Sequence, residues 1–198
     1  MKVVTIHQPE HFPYQGFFQK MSESDLFVIL DNVNFRKNYF QNRNKIVNKQ
    51  GKEEWFGFPV PKKSTSLQIK DVVTVDNSIN NWRRKVVAKL LHNLKIDLTS
   101  IYQFEKLVDI NMESIKWCRN KLKIQTPMVF ASELNVVGSK SELLLNICRK
   151  TNATTYLSGP SGKDYLDIQM FKNHNINVEF FNPQVENYYS MLYNIQNK

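Results

Sequence analysis

Short apolar runs near the N-terminus predict two buried strands joined by a helix. Residues 3–6 are β-branched and apolar without a helical period, so they predict a strand that is buried on both faces. Residues 7–13 contain two prolines four positions apart, which exclude a regular helix or a central strand there. A short helix over residues 16–22 leads to a second buried strand over residues 25–30, which Asp31 follows. This strand–loop–helix–strand unit is typical of the start of an α/β fold with a parallel sheet.

The middle of the chain predicts a less regular region. Residues 32–53 are polar and aromatic, which predicts a long loop or an irregular helix. Residues 55–60 alternate and end in prolines, which predicts an edge strand with residues 69–75 as its hairpin partner. Two helices and a short strand are then predicted over residues 82–94, 104–122 and 128–131.

The last third of the chain returns to the α/β pattern. Ser139 and Glu142 have the spacing of a capping box, which predicts a helix that begins there. The elements predicted after that helix are a strand, a tight loop, a helix and a strand, over residues 154–157, 158–162, 163–174 and 177–181.

Together these elements predict one domain over residues 1–198. Its fold class is α/β, with a mostly parallel, Rossmann-like sheet flanked by helices. A small β and helical insertion is predicted around residues 50–125, where the α/β alternation is interrupted.

The net charge, the cysteines and the lengths of the apolar runs limit the kinds of partner and of cellular location that fit the chain. Of the 198 residues, 27 are Lys or Arg and 18 are Asp or Glu, giving a net charge of +9 and a pI near 9.5. Such an excess suits nucleic acid, an anionic membrane surface or a small anionic ligand. Cys118 and Cys148 have apolar neighbours and are predicted core residues, as expected in a reducing cytoplasm. The longest apolar run is too short to span a bilayer, so we expect a cytoplasmic protein without membrane insertion.

Polar clusters follow three of the predicted strands, at residues 7–13, 31–43 and 158–164. Ligands of parallel sheets bind beyond the carboxyl ends of the strands. We therefore expect the three clusters to converge on one edge of the sheet and to form the functional site there.

The first cluster offers His7 at the end of a strand. A neutral imidazole in that place can act as a general base or can donate to a phosphate or carboxylate, and the alternative is a histidine that only hydrogen-bonds the loop backbone. His7 and His11 are four residues apart, but Pro9 breaks any helix between them and no third ligand is evident. No metal is expected, and the cofactor is unknown.

The second cluster is basic and aromatic. Residues 36–52 contain six Lys or Arg residues and no acidic one, and aromatic residues interleave with them. Basic and aromatic side chains together suit a phosphate and a stacked base, in a nucleotide or in RNA, whereas the alternative is a solvated basic face. Arg43 can hold a phosphate or carboxylate with two hydrogen bonds. Asp31 can fix Arg43, bind a ribose hydroxyl or act as an acid or base.

The third cluster is rich in glycine and precedes a predicted helix. Backbone N–H groups and the helix dipole favour an anion at such a place, and the alternative is a turn that only joins strand to helix. The loop is not a Walker A motif, because its glycines are only three positions apart and Asp164 follows Lys163.

Two further groups of residues are predicted to be structural. Trp55, Phe56 and Phe58 are expected to form the core side of an edge strand. The basic residues of the 82–94 helix and its end are expected to face solvent; they are Arg83, Arg84, Lys85, Lys89 and Lys95.

Several segments of the chain together give it a family resemblance. They are His7-Gln8-Pro9, Pro13 to Lys20, Ser24-Asp25, Phe27-Val28, Leu30-Asp31, Phe35, Lys37, Asn42-Arg43-Asn44, Ile46 and Tyr156 to Asp167. In order and spacing, from the N-terminus to about residue 182, they resemble the WbqC-like protein family. The sequence departs from the family's pattern at Asn34, where Gln is usual, and over residues 188–198.

The resemblance implies a transferase of surface-polysaccharide (O-antigen) biosynthesis. Such a protein would move an acyl or aminoacyl group, for example glycyl, onto a nucleotide-linked amino sugar. The partner would then be a small anionic ligand, either a nucleotide sugar or an acyl donor, and a homo-oligomer is compatible with this function.

The candidate site combines the motif residues with the chemistry of the three clusters. The candidate catalytic residues are His7 and Asp31. The candidate substrate-binding residues are Gln8, Lys37, Asn42, Arg43, Ser158, Gly159, Ser161, Gly162 and Tyr165.

Other functions remain open at the level of sequence. One is a nucleotidyltransferase-like Rossmann enzyme, although the His-x-Gly-His signature is absent around Gly16. Another is a basic nucleic-acid-binding module, which the charge permits but no known motif supports. A third is a non-catalytic structural or assembly protein.

Overall fold

The computed structural model describes residues 1–196. The last two residues of the divergent segment 188–198 therefore lie outside the described residues. The strands are β1 (Val3–His7), β2 (Leu26–Ile29), β3 (Arg43–Val47), β4 (Glu53–Gly57), β5 (Met128–Phe130), β6 (Thr155–Ser158) and β7 (Asn177–Phe180). The α-helices are α1 (Gln15–Ser22), α2 (Asn77–Asn80), α3 (Trp82–Leu94), α4 (Leu107–Leu122), α5 (Lys140–Lys150), α6 (Ile168–Lys172) and α7 (Met191–Gln196).

The described chain divides into two compact units. The first unit comprises Met1–Gln8, Gly16–Asp31 and Ile124–Val185. The second unit comprises Pro9–Gln15, Asn32–Lys123 and Glu186–Lys198. Most of the insertion predicted around residues 50–125 belongs to the second unit, and the single domain over residues 1–198 stays a prediction.

The first unit contains a five-stranded parallel sheet in the order β5-β2-β1-β6-β7. Counting only the strands of this sheet, the order is 3-2-1-4-5, as in the Rossmann fold. The buried run of β2 explains its place inside the sheet, between β5 and β1, because a strand covered on both faces has no polar side to expose. With helices on the sheet, the predicted α/β Rossmann-like class is confirmed.

The second unit contains a two-stranded antiparallel ribbon of β3 and β4. The prediction that residues 32–53 form a loop or irregular helix was therefore wrong at β3, where only Asn44 and Ile46 face inward and the apolar pattern is short. The predicted pairing of residues 55–60 with residues 69–75 was also wrong. Residues Ile69–Asp71 form a 3₁₀ turn that buries Ile69, which ends any strand there.

A buried histidine lies in the core of the second unit. His11 is fully buried among aromatic rings, with Phe12 and Phe58 both 5.0 Å away between ring centroids. Its Nε2 is 3.0 Å from the hydroxyl of Tyr102. Burial lowers the pKa of His11 to about 3, although the Asn111 side chain raises it. His11 is therefore a neutral core group, well away from its ordinary titration range.

Stability is expected to fall as the pH is lowered from about 6.5 to about 4.5. The unfolded chain takes up a proton on His11 in this window, whereas the folded chain keeps the pKa near 3, so acid favours unfolding. Two pH units correspond to roughly 2–3 kcal/mol for one such group. Urea unfolding at several pH values should show a steeper loss for the wild type than for His11→Gln, and equal slopes would contradict this assignment.

Candidate functional site

The strand order of the first unit marks one place on its sheet. The order reverses between β1 and β6, which lie side by side and lead in opposite directions to the remaining strands. In open parallel sheets the ligand crevice lies at this switch point, beyond the carboxyl ends of the strands. β1 ends at His7 and β6 ends at Ser158. We call this edge, formed by the ends of β1, β2 and β6, the carboxyl edge.

His7 is held in a defined orientation at the carboxyl edge. Its ring packs edge-on against Phe17 of α1, with 4.9 Å between the ring centroids. Its Nδ1 lies 3.0 Å from the carbonyl oxygen of Gln8. A carbonyl can only accept, so Nδ1 carries the proton and Nε2 is the unprotonated nitrogen.

The surroundings of His7 keep its ring neutral. Burial and, to a smaller extent, the positive charge of Lys20 lower the pKa of His7 to about 3. The hydrogen bond to the Gln8 carbonyl raises the pKa, but it does not offset these two effects. The lone pair on Nε2 is therefore available throughout the physiological pH range.

Lys20 is the residue of this edge that the candidate set missed. The side chain is only 3% exposed, on the same helix α1 that carries Phe17. Its Nζ lies 3.9 Å from the point where a Cβ on Gly159 would stand. The sequence contained a signal: Lys20 is three residues after Phe17, so it shares the apolar face of the helix. A lysine on such a face is rarely buried without a functional or structural partner.

The loop after β6 differs from its prediction. Residues Pro160–Asp164 form a 3₁₀ turn, and α6 begins only at Ile168, after the Asp167 side chain accepts from the Met170 N–H at 3.0 Å. The helix predicted over residues 163–174 was therefore too long, since α6 covers only Ile168–Lys172. One turn has little dipole, so the anion site expected from a helix N-terminus loses that support.

Within this loop the candidate residues divide into buried and exposed groups. Ser158 and Gly162 are buried, and a Cβ on Gly162 would collide with the Ser158 hydroxyl. Ser161 is exposed, and Tyr165 is 56% exposed with a pKa raised by partial burial. The backbone of the loop therefore packs closely on β6 at Gly162, while its outer side chains face solvent.

Asp31 is almost fully buried two residues beyond β2. Its Oδ1 accepts from the Ser132 N–H at 3.0 Å, and its Oδ2 accepts from the Ser132 hydroxyl at 2.6 Å. Both carboxylate oxygens therefore fix the chain after β5. The catalytic role of Asp31 stays a prediction, and this geometry favours a positioning role.

Three candidate residues belong to the second unit. Lys37 is exposed, whereas Asn42 and Arg43 are half-buried beside and within β3. The Asn42 amide donates to the Phe58 carbonyl at 3.0 Å. The Arg43 guanidinium lies over the Trp55 ring at 4.2 Å and donates to the Asn38 carbonyl at 2.6 Å.

The surroundings of Arg43 correct two sequence predictions. Phe56 and Phe58 are buried as predicted, but Trp55 is 40% exposed because it lies on the outer face of the ribbon. Lys89 is half-buried with its Nζ 2.9 Å from Glu54 Oε1, so it does not simply face solvent, whereas Lys85 is exposed as predicted and lines the same groove.

Comparison with known proteins shows which family the chain belongs to. The profile of the WbqC-like protein family matches residues 8–194. The chain belongs to this family. The uncharacterized protein Rv1507c of Mycobacterium tuberculosis is 28% identical over 193 residues, covering 91% of this chain and 82% of the relative. No solved structure gives a significant match.

The WbqC-like match covers the candidate residues of both units except His7, which lies one residue before it. Among residues 1–196, no group of three or more His, Cys, Asp or Glu side chains is placed to hold a metal ion. Within the same range, no helix combines the length and the apolar character needed to cross a membrane. Cys118 and Cys148 are both buried and unpaired, as predicted for core residues.

Proposed function

We propose that this WbqC-like protein transfers an acyl or aminoacyl group, such as glycyl, to the amino group of a nucleotide-linked sugar. The observation that carries the proposal is the neutral His7 at the switch point of a Rossmann-like sheet, with the buried Lys20 beside it. The sugar and the O-antigen context are taken from what the resemblance to the WbqC-like family implies, and the family match over residues 8–194 supports that resemblance.

The chemistry follows from the protonation state of His7. An amine attacks an activated carbonyl carbon, so the C–N bond forms and the bond to the leaving group breaks. His7 Nε2 takes the proton that the amine must lose and delivers it to the leaving group, which regenerates the neutral ring. The lowered pKa keeps Nε2 unprotonated before attack, and it makes Nε2 a weak base whose imidazolium is a strong acid towards the leaving group.

Lys20 supplies the complementary charge. Negative charge develops on the carbonyl oxygen during attack, and a buried ammonium stabilises such charge more strongly than an exposed one. Lys20 is close to both His7 and Gly159, so it provides positive charge on the side of the site where the loop after β6 begins. In the second unit, Lys37, Asn42 and Arg43 are proposed to bind phosphate groups.

Product analysis tests the proposed transfer. The full chain is incubated with nucleotide-linked amino sugars and with acyl or glycyl thioesters, and the sugars are analysed by mass spectrometry. The expected product is an amide whose mass exceeds that of the sugar by the acyl group. Nucleotidyl transfer would instead release pyrophosphate from a nucleoside triphosphate. Binding of the nucleotide sugars without any amide product would contradict the proposed reaction.

A further inference from the structure

The second unit contains a groove of about 440 Å³ between β4 and α3. Its volume lies within the range of about 300–1,000 Å³ that is usual for small-molecule sites. All residues that line the groove belong to the second unit. They are Asn42, Arg43, Trp55, Phe56, Gly57, Phe58, Pro59, Asn80, Trp82, Lys85, Val86 and Lys89.

One wall of the groove is an arginine stacked on a tryptophan. Arg43 pairs with Gly57 across the ribbon, whereas Lys45 pairs with Trp55. A Cβ on Gly57 would lie 2.7 Å from the Arg43 Cα, so the glycine is needed for this close approach. Because Gly57 has no side chain, Arg43 can cross to the Trp55 ring. The guanidinium is thereby held over the Trp55 ring, where it brings a fixed positive charge to the groove.

The opposite wall is one face of α3. Trp82, Lys85 and Lys89 are spaced three and four residues apart, so they project from the same side of the helix. Lys89 is tied down, since its Nζ lies 2.9 Å from Glu54 Oε1 and donates to the Trp55 carbonyl at 2.9 Å. Lys85 is exposed at the groove. None of the lining residues is acidic, so the groove favours an anionic ligand.

The floor of the groove is aromatic. Phe56, Phe58 and Trp82 are each less than 5% exposed, and the rings of Phe58 and Trp82 are 5.9 Å apart at an angle of 39°. An aromatic floor between cationic walls suits a ligand with a flat apolar part and an anionic part.

Two neighbouring residues of the groove have polar atoms without a partner among the described residues. Asn42 Oδ1 and Arg43 Nε are both buried and make no hydrogen bond. Buried polar atoms are satisfied in the great majority of cases, so an acceptor and a donor left together call for an explanation. A heterocyclic base carries donors and acceptors on one edge and would supply both partners after a small side-chain adjustment.

We propose that this groove binds a nucleoside phosphate. The base lies beside the Trp55 ring, which lines the groove and is 40% exposed, and the phosphates contact Arg43 and Lys85. The nucleotide can be free or part of an activated sugar, and in the second case its binding rests on the proposed function. A single compact groove favours one nucleotide over an extended RNA strand.

Calorimetric titration of the full chain tests this site. The probes are UDP, GDP and ADP, with uridine and pyrophosphate as the separate halves of a nucleotide and UDP-N-acetylglucosamine as an activated sugar. At least one nucleotide should bind roughly tenfold more tightly than pyrophosphate or uridine, because stacking and charge act together. Tighter binding of the activated sugar than of any free nucleotide would identify the sugar nucleotide as the source.

Matched variants locate the binding to the groove. Lys85→Ala should weaken nucleotide binding about five- to tenfold, and Arg43→Lys should do so about tenfold because the planar fork is lost. Arg84→Ala removes the same charge from an exposed position of α3 outside the groove, and should change the affinity less than twofold. If Arg84→Ala and Lys85→Ala weaken nucleotide binding equally, the assignment of binding to the groove is wrong.

Other outcomes separate this site from the proposed function. Nucleotide binding without acyl transfer leaves the groove intact and contradicts the transfer reaction. Acyl transfer with no measurable nucleotide binding leaves the transfer reaction intact and contradicts the groove as a nucleotide site. Binding of single-stranded RNA, with a steep salt dependence and no binding of any nucleotide, would also overturn the groove as a nucleotide site.

Discussion

His7→Gln is expected to lower the rate of acyl transfer by about 10²- to 10⁴-fold, the usual contribution of a general base. Glutamine can keep a hydrogen bond to the Gln8 carbonyl, as the Nδ1 of His7 does at 3.0 Å, so the loop should remain in place. It cannot accept the proton of the attacking amine. The loss should therefore appear in kcat, with little change in KM.

His174→Gln is the matched control for this substitution. His174 is exposed, and its Nδ1 also lies next to a backbone carbonyl, that of Met170, at 2.9 Å. The control should transfer the acyl group at the wild-type rate. A loss of less than threefold in His7→Gln, in protein with an unchanged melting temperature, would contradict a proton-transfer role for His7.

Gly162→Ala is expected to destabilise the protein by about 1–3 kcal/mol, as overpacking of a tight site usually does. A Cβ at this position would overlap the Ser158 hydroxyl and would approach Leu166 Cδ1 to 3.0 Å and Phe180 Cε1 to 3.2 Å. The loop after β6 would then have to move away from the carboxyl edge. Guanidinium unfolding at neutral pH measures the effect as a lower midpoint with an unchanged slope.

Gly159→Ala is the control within the same loop. Gly159 has a φ of −67°, which any residue adopts, and a Cβ there meets only Lys20 Nζ at 3.9 Å. Its free energy of unfolding should change by less than about 0.5 kcal/mol. Adding Ser158→Gly to Gly162→Ala should recover part of the lost stability, since the overlapping hydroxyl is gone. Equal costs at the two glycines would show that the close packing at Gly162 is not the cause.

The strands that are buried on both faces could be predicted from the sequence, whereas the half-exposed strand β3 could not. The apolar runs of β1 and β2 predicted central strands because strands covered on both faces carry few polar residues. The strand β3 was missed, since it buries only Asn44 and Ile46 and its other side chains are polar. The strand predicted over residues 69–75 is absent, because Ile69 and Val72 are buried by a 3₁₀ turn and not by strand pairing.

The candidate site was predictable where position along a strand decides it. His7 could be found because it ends β1, and the strand order then places it at the switch point. The burial of Lys20 and the exposure of Trp55 could not be predicted from the sequence, because both depend on tertiary packing. The helix predicted over residues 163–174 was too long, because Asp167 caps a helix that begins only at Ile168 and ends at Lys172.

The proposed proton transfer requires that His7 stays neutral with an unprotonated Nε2 at physiological pH. Long-range ¹H–¹⁵N NMR spectra of histidine-labelled protein report the tautomer and the charge of each ring, and the signal that is lost in His7→Gln assigns His7. Between pH 5 and pH 8, the His7 ring should stay neutral with its proton on Nδ1. A ring that titrates near pH 6.5, or one that carries its proton on Nε2, would exclude His7 as the proton acceptor.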